Sequence, residues 1–225
     1  MELHAIVQRM KKTYDAARTK EIILDAAEEM FAEHGYSATR VDAIASLAGY
    51  NKSLIYQYFG DKLGLYTGVI KRADQLGNTV FESLAGDSLA DETTTSDPSK
   101  FRRLLGDVIR SSYQFLLDHP RYLKIYLWEA AEEWKIWKSI SYSPDDIIVF
   151  SRLAESAKKN GLIRKDIEPI MMPILLMNLV IPFVQTYRRL SEMMPDEIQS
   201  QIPLEQFKEQ LVHIVVYGLM EPSLL

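Results

Sequence analysis

The chain has 225 residues, 47% of them hydrophobic and 25% charged, and a net charge of −5. That is the composition of an ordinary globular protein, with enough apolar side chains for one large or two small domains. Cysteine is absent, which excludes a disulfide framework, a thiolate metal site and a cysteine nucleophile, and fits a reducing compartment.

The acidic balance argues against a general nucleic-acid coat protein, but it is uneven. Residues 1–72 carry ten Lys/Arg against nine Asp/Glu, residues 73–225 sixteen against twenty-two, and residues 1–20 alone five against two. Positive charge is therefore relatively concentrated near the N-terminus. Met1–Met10 lacks a basic start followed by a long apolar run, so no secretory signal is expected. The most apolar stretch, Pro169–Val184, is short for a bilayer and contains Pro173, Asn178 and Pro182. A buried helix, no membrane association and a cytoplasmic location are expected.

Paired apolar residues at Ile22/Ile23, Ala26/Ala27 and Met30/Phe31 mark a first helix ending at Gly35. Thr39 is expected to cap a second, in which Val41, Ile44, Ala45 and Ala48 form one buried face. Gly49 supplies the turn. Asn51 caps a third helix, with Tyr50 placed to staple onto Ile55, and Asp61 caps a fourth with Leu65, Tyr66, Val69, Ile70 and Ala73 inward. Two short amphipathic helices hinged at a glycine have the spacing of a helix-turn-helix DNA reader.

Gly86–Ser99, rich in Asp, Thr and Ser, is the longest loop expected. Leu104 to Leu117 mark a helix ending at His119-Pro120, and Ser143-Pro144 opens another that stops at Asn160-Gly161. Asp166 is expected to open an apolar helix running to Met194, and Pro203 the last helix, through Leu219. No strand-like alternation competes, so the fold class is all-α with about nine helices. Residues 17–77 are expected to form the DNA-binding domain and 78–225 a C-terminal helical domain.

The run Thr19–Tyr66 resembles the DNA-binding domain of the tetracycline-repressor (TetR) family of bacterial transcriptional regulators. The residues that carry the resemblance are Ile23, Ala26, Ala27, Phe31, Gly35, Thr39, Ile44, Ala45, Ala48 and Gly49, then Leu54-Ile55-Tyr56-Gln57-Tyr58-Phe59 and Asp61-Lys62. Leu54 stands where the family often has a threonine or alanine, so a hydroxyl-to-phosphate contact there is lost. The resemblance implies a homodimer whose third helices enter successive major grooves of a pseudo-palindromic operator. It also implies a C-terminal domain that dimerises and binds a small effector, which moves the fourth helix. On that footing the expected function is a repressor released by its effector, with an activator or a protein-gated regulator as alternatives and an all-α enzyme as a remote one.

The candidate DNA contacts are Thr39, Arg40, Lys52, Ser53, Tyr56, Gln57, Tyr58 and Lys62. Lys52 suits guanine O6/N7, and Tyr56 and Gln57 suit bases or phosphates, although a solvated helix face explains the same pattern. Tyr58 reaches a phosphate or packs against the first helix. Lys11, Lys12, Arg18 and Lys20 form either a DNA-gripping arm or a solvated charge run.

Aromatic residues cluster after residue 112. Tyr113, Tyr126, Trp128, Trp134, Trp137, Met177 and Phe183 are candidates for an effector pocket suited to an aromatic or cationic ligand, with core packing the alternative. Leu127, Trp134 and Trp137 share one helical stripe. Asp166–Met194 and Pro203–Met220 are the expected dimer interface. The four histidines show no ligand spacing, and no phosphate loop or nucleophile elbow appears, so no metal, cofactor or catalytic residue is expected.

Overall fold

In the computed structural model the backbone is described for residues 2–140, 145–195 and 204–225, and side chains there outside 2–14, 80–90, 145–146, 177 and 204. These residues form nine α-helices, α1 Glu2–Ala38, α2 Val41–Ala48, α3 Lys52–Phe59, α4 Lys62–Ala90, α5 Pro98–Asp118, α6 Pro120–Ala131, α7 Asp145–Lys159, α8 Met171–Met193 and α9 Leu204–Leu219. Single 3-10 turns lie at Trp137–Ser139 and Pro222–Leu224. No described helix is long and apolar enough to cross a membrane.

The helices belong to two compact units, one of Met1–Gln75 with Pro120–Tyr142 and the other of Leu76–His119 with Ser143–Leu225. A single cut near residue 77 misses the return of α6 into the N-terminal unit. Such a return depends on long-range packing, which leaves no local mark in the sequence.

The N-terminal unit is built on one apolar cluster. Phe31, Ile23 and Ala27 of α1, Ile44 of α2, Ile55 of α3 and Leu65, Tyr66 and Ile70 of α4 are all buried, and Ile125 and Ile140 join them from the α6 region. Local signals set the turns. Gly49 takes the left-handed conformation at φ 73°, ending α2, and the Asn51 side chain accepts from the Leu54 N–H at 2.8 Å. Asp61 Oδ1 accepts from the Gly64 N–H at 2.7 Å, capping α4.

Three expectations about this region and its neighbours are corrected. Thr39 does not cap α2; Arg40 occupies that place with no side-chain cap bond. Thr39 is buried, and its hydroxyl is directed at the carbonyls of Gly35 at 2.6 Å and Met30 at 3.1 Å. The expected Gly86–Ser99 loop shrinks to residues 91–97, because α4 continues through Gly86 to Ala90; one interior glycine costs a helix only about 1 kcal/mol. Asp97 then caps α5 through the Ser99 and Lys100 amides. The aromatic stripe after Leu127 is not one helix either, since α6 stops at Ala131 and Glu133 and Trp134 take φ near +60°.

In the C-terminal unit, α5 buries Phe101, Leu104, Leu105 and Ile109 and packs on α8 and α9. Arg110 of α5 binds both oxygens of Glu209 on α9, at 2.7 and 2.8 Å. The apolar helix begins at Met171 rather than Asp166, whose carboxylate instead pairs with Arg164 at 2.9 Å. The Ser143-Pro144 and Pro203 helix starts lie outside the described residues.

Gly35 kinks α1 at φ 71°, ψ 173°, and a Cβ there would lie 3.1 Å from the Trp128 ring. Both the backbone conformation and the space demand glycine. Gly35→Ala is expected to destabilise the N-terminal unit by about 1–3 kcal/mol, measured by urea unfolding; an unchanged midpoint and slope would show that the kink relaxes without cost.

Candidate nucleic-acid interface

Helix α3 has one buried anchor and an open outer side. Ile55 is fully buried, while Ser53, Tyr56 and Gln57 are exposed and Lys52 is half-buried. A short helix held by one apolar residue, carrying amide, hydroxyl and ammonium groups outward, has the side chains that major-groove edges accept. Arg40, at the start of α2, is also exposed.

The remaining candidates are less open. Tyr58 is half-buried, and Lys20 of α1 lies 5.4 Å from the centroid of its ring, so the reading in which Tyr58 packs beside α1 is the one that the geometry favours. Lys62 sits 4.5 Å from the Tyr36 ring centroid and donates to the Ser37 carbonyl at 3.3 Å. Partial burial lowers its pKa, against the opposing charge of Glu132. Thr39, buried with its hydroxyl bonded internally, offers DNA no side-chain group. Of the basic cluster, Arg18 and Lys20 are exposed on α1, whose helix is continuous from Glu2; the side chains of Lys11 and Lys12 lie outside the described residues.

Two groups that sequence reasoning did not select hold this unit together. Arg72 of α4 binds three carboxylates along α1, Glu21 at 3.4 Å, Asp25 at 2.6 Å and Glu28. Glu129 of α6 is only 2% exposed; it accepts from the Tyr66 hydroxyl at 2.7 Å and from the Trp137 N–H at 3.0 Å. The spacing of the α1 acids on one face was visible, but nothing local distinguishes Glu129 from Glu132 and Glu133.

The candidate effector residues divide between the units. Tyr126, Trp134 and Trp137 lie in the N-terminal unit as a chain of edge-to-face rings, with centroids 4.9 and 5.8 Å apart. Trp128 donates to the Ala32 carbonyl at 3.2 Å and, 40% exposed, lines an open cleft of about 390 Å³ with Glu33, Lys124 and Leu127. Tyr113 and Phe183 meet in the C-terminal unit at 6.4 Å, and Phe183 continues to Phe207 at 4.9 Å. Burial, with Tyr187 and Glu205 nearby, pushes the Tyr113 phenol up to about 12. The Met177 side chain lies outside the described residues. Among the described residues no group of three His, Asp or Glu is placed to hold a metal.

A short anchored α3 following α2 across a glycine turn, with an open polar side, defines a helix-turn-helix DNA-binding protein. Residues 23–69 match the family model of bacterial regulatory proteins, tetR family. The chain is 26% identical over 160 residues to the transcriptional repressor NicS of Pseudomonas putida, covering 69% of this chain and 71% of NicS. It is 38% identical over 81 residues to the transcriptional activator FasR of Mycolicibacterium smegmatis, covering 36% of this chain and only 34% of FasR. In fold it is similar to SmeT, the repressor of the Stenotrophomonas maltophilia multidrug efflux pump SmeDEF, with a TM-score of 0.61 at 18% identity over 92% of each chain. Residues 23–69 thus form a DNA-binding domain of the tetR type, and the chain is a DNA-binding transcriptional regulator.

Two outcomes follow from this geometry. Lys52→Ala should lower affinity for a selected duplex by about 1–3 kcal/mol, read by fluorescence anisotropy; a variant as tight and as selective as the parent would remove Lys52 from the contacts. Burial and the Glu129 hydrogen bond push the Tyr66 phenol well above its ordinary value of about 10. The fold thus favours the protonated phenol, and the stability this contributes is present at neutral pH and lost as pH rises beyond about 10. Tyr66→Phe, although less stable at neutral pH, should lose stability less steeply in alkali; equal alkaline slopes would contradict this.

Proposed function

We propose that the protein is a homodimeric, cytoplasmic repressor that binds a pseudo-palindromic operator and is released by a small-molecule effector. The observation that carries the DNA half of this reading is α3, with Ser53, Tyr56 and Gln57 exposed and Lys52 half-buried beside the buried Ile55 anchor. Half-sites about one helical turn apart suit a two-fold protein with one such helix per protomer.

Exposed apolar side chains support the dimer. On α9, Ile214 is 60% exposed and Tyr217 50%; on α8, Met171 and Ile174 are exposed as well. Large apolar groups repeated at i and i+3 on an otherwise well-packed helix suit burial against a second copy.

The effector is assigned to the C-terminal unit, where the Tyr113–Phe183 pair supplies an apolar lining and the buried Tyr113 hydroxyl has no hydrogen-bond partner among the described residues. Residues 62–75 of α4 belong to the N-terminal unit and 76–90 to the C-terminal one, so the helix is a direct covalent route between ligand and reader. The effector must bind the DNA-incompetent arrangement more tightly, since only differential affinity shifts the population. No catalytic step enters this reading. Activation is the second reading, favoured by the similarity to FasR, a named activator.

Footprinting on the DNA flanking the gene, combined with Ile214→Glu, tests the proposal. The parent should protect a palindromic site with affinity that falls steeply with salt. Ile214→Glu should sediment as a folded monomer and lose most operator affinity. A single unpaired half-site protected equally by parent and variant would overturn the dimeric reading, and salt-independent binding would overturn the operator.

A further inference from the structure

An acid stands next to the groups assigned to DNA. Asp42, in the first turn of α2, is exposed, and its Oδ2 accepts from Lys52 Nζ at 3.0 Å. The same ammonium lies 5.7 Å from the centroid of the Tyr56 ring. Asp42 therefore joins α2 directly to Lys52, and through its ammonium to Tyr56, two α3 residues assigned to DNA in the regulator reading. Its hydrogen bond, with a smaller contribution from Tyr56, keeps Lys52 firmly protonated.

This pairing changes what Lys52 can do. Sequence-independent affinity comes from cations that neutralise phosphates and release their counterions. A lysine already paired with a carboxylate brings no net charge, and if it swings to a phosphate it leaves Asp42 facing a backbone of like charge. The side chains are 43% and 70% exposed, so the pair is held weakly and opens for a better partner. A G·C base pair is such a partner, because its major-groove edge sets guanine O6 and N7 acceptors beside the cytosine amino donor. An ammonium and a carboxylate side by side present the complementary donor and acceptor.

We propose that Asp42 is a specificity-determining residue of the DNA reader: paired with Lys52, it suppresses sequence-independent binding and reserves the lysine for a G·C base pair of the operator. The proposal rests on the assignment of α3 to DNA.

The test uses the full chain, a duplex that the parent selects from a random pool, and a duplex of equal length that it does not select. Asp42→Asn keeps the size of the side chain and removes its charge. Affinity of Asp42→Asn for the unselected duplex should rise, with the log–log salt slope steeper by about 0.9, the mark of one more neutralised phosphate. The ratio of selected to unselected affinity should fall about tenfold. In the Lys52→Ala background the same change should no longer steepen the salt slope, since the cation that Asp42 holds back is gone.

An unchanged slope and ratio in Asp42→Asn would overturn the proposal. So would an equal loss of affinity for both duplexes, which would make Asp42 only a support for α2. If the parent selects no duplex at all, the DNA-reading assignment fails and takes this inference with it; selection by the parent with an unaltered Asp42→Asn ratio sinks this inference alone.

Discussion

The N-terminal unit depends on one buried carboxylate. Taking Glu129 to 2% exposure costs several kcal/mol of lost hydration, and two donors offset that cost, the Tyr66 hydroxyl and the Trp137 amide. Hydrogen bonds to a charged group are worth about 1.5–3 kcal/mol each, so the site is stable only when both are made. One comes from the first turns of α4, immediately after the reader, and the other from the turn after α6. A single side chain therefore fixes the chain that leads out of the DNA-binding helices to a segment some sixty residues later, its separation from Tyr66 being 63 positions.

Other contacts of the unit repeat that link with different chemistry. The Trp128 indole rests on Gly35, where a side chain would collide, and donates to the Ala32 carbonyl. Arg121 pairs with Glu29 of α1, and Glu132 accepts from Ser37 at 3.2 Å. Arg72 draws α4 onto the acids of α1. The surface pairs contribute little individually, but together with the aromatic packing of Phe31, Tyr36 and Tyr66 they leave α1 and α4 few alternative registers. The reader is thus carried by a frame made of α1, α4 and α6, on which its two short helices dock through Val41, Ile44, Ala45 and Ala48 of α2 and Ile55 of α3.

Much of this was legible residue by residue where the cause is local. Asn51, Asp61 and Gly49 mark ends of helices because a side-chain oxygen or a left-handed backbone is needed there, and those needs are written into residue type. The amphipathic pattern of α1 through α4 likewise named the buried faces. Thr39 misled because a threonine two residues before a helix serves equally well as a cap or as a buried donor, and the choice lies with the Gly35 carbonyl. The return of Pro120–Ala131 to the N-terminal unit was not legible, nor was the turn at Glu133 and Trp134, where no glycine announces the positive φ. At the reader itself, residue types made Lys52 a candidate contact but gave no sign of Asp42 beside it, ten positions away on another helix.

The location of the tryptophans has an optical consequence. All three in the chain lie between residues 128 and 137, inside the N-terminal unit, whereas the tyrosines and the helical backbone are spread through both units. Emission excited at the red edge of the indole band comes from one unit alone, while far-ultraviolet circular dichroism averages over all the helices. The protein carries its own reporter for the unit that reads DNA, and Trp128, against the kink that precedes α2, lets an unlabelled sample announce a change in that frame by colour or intensity.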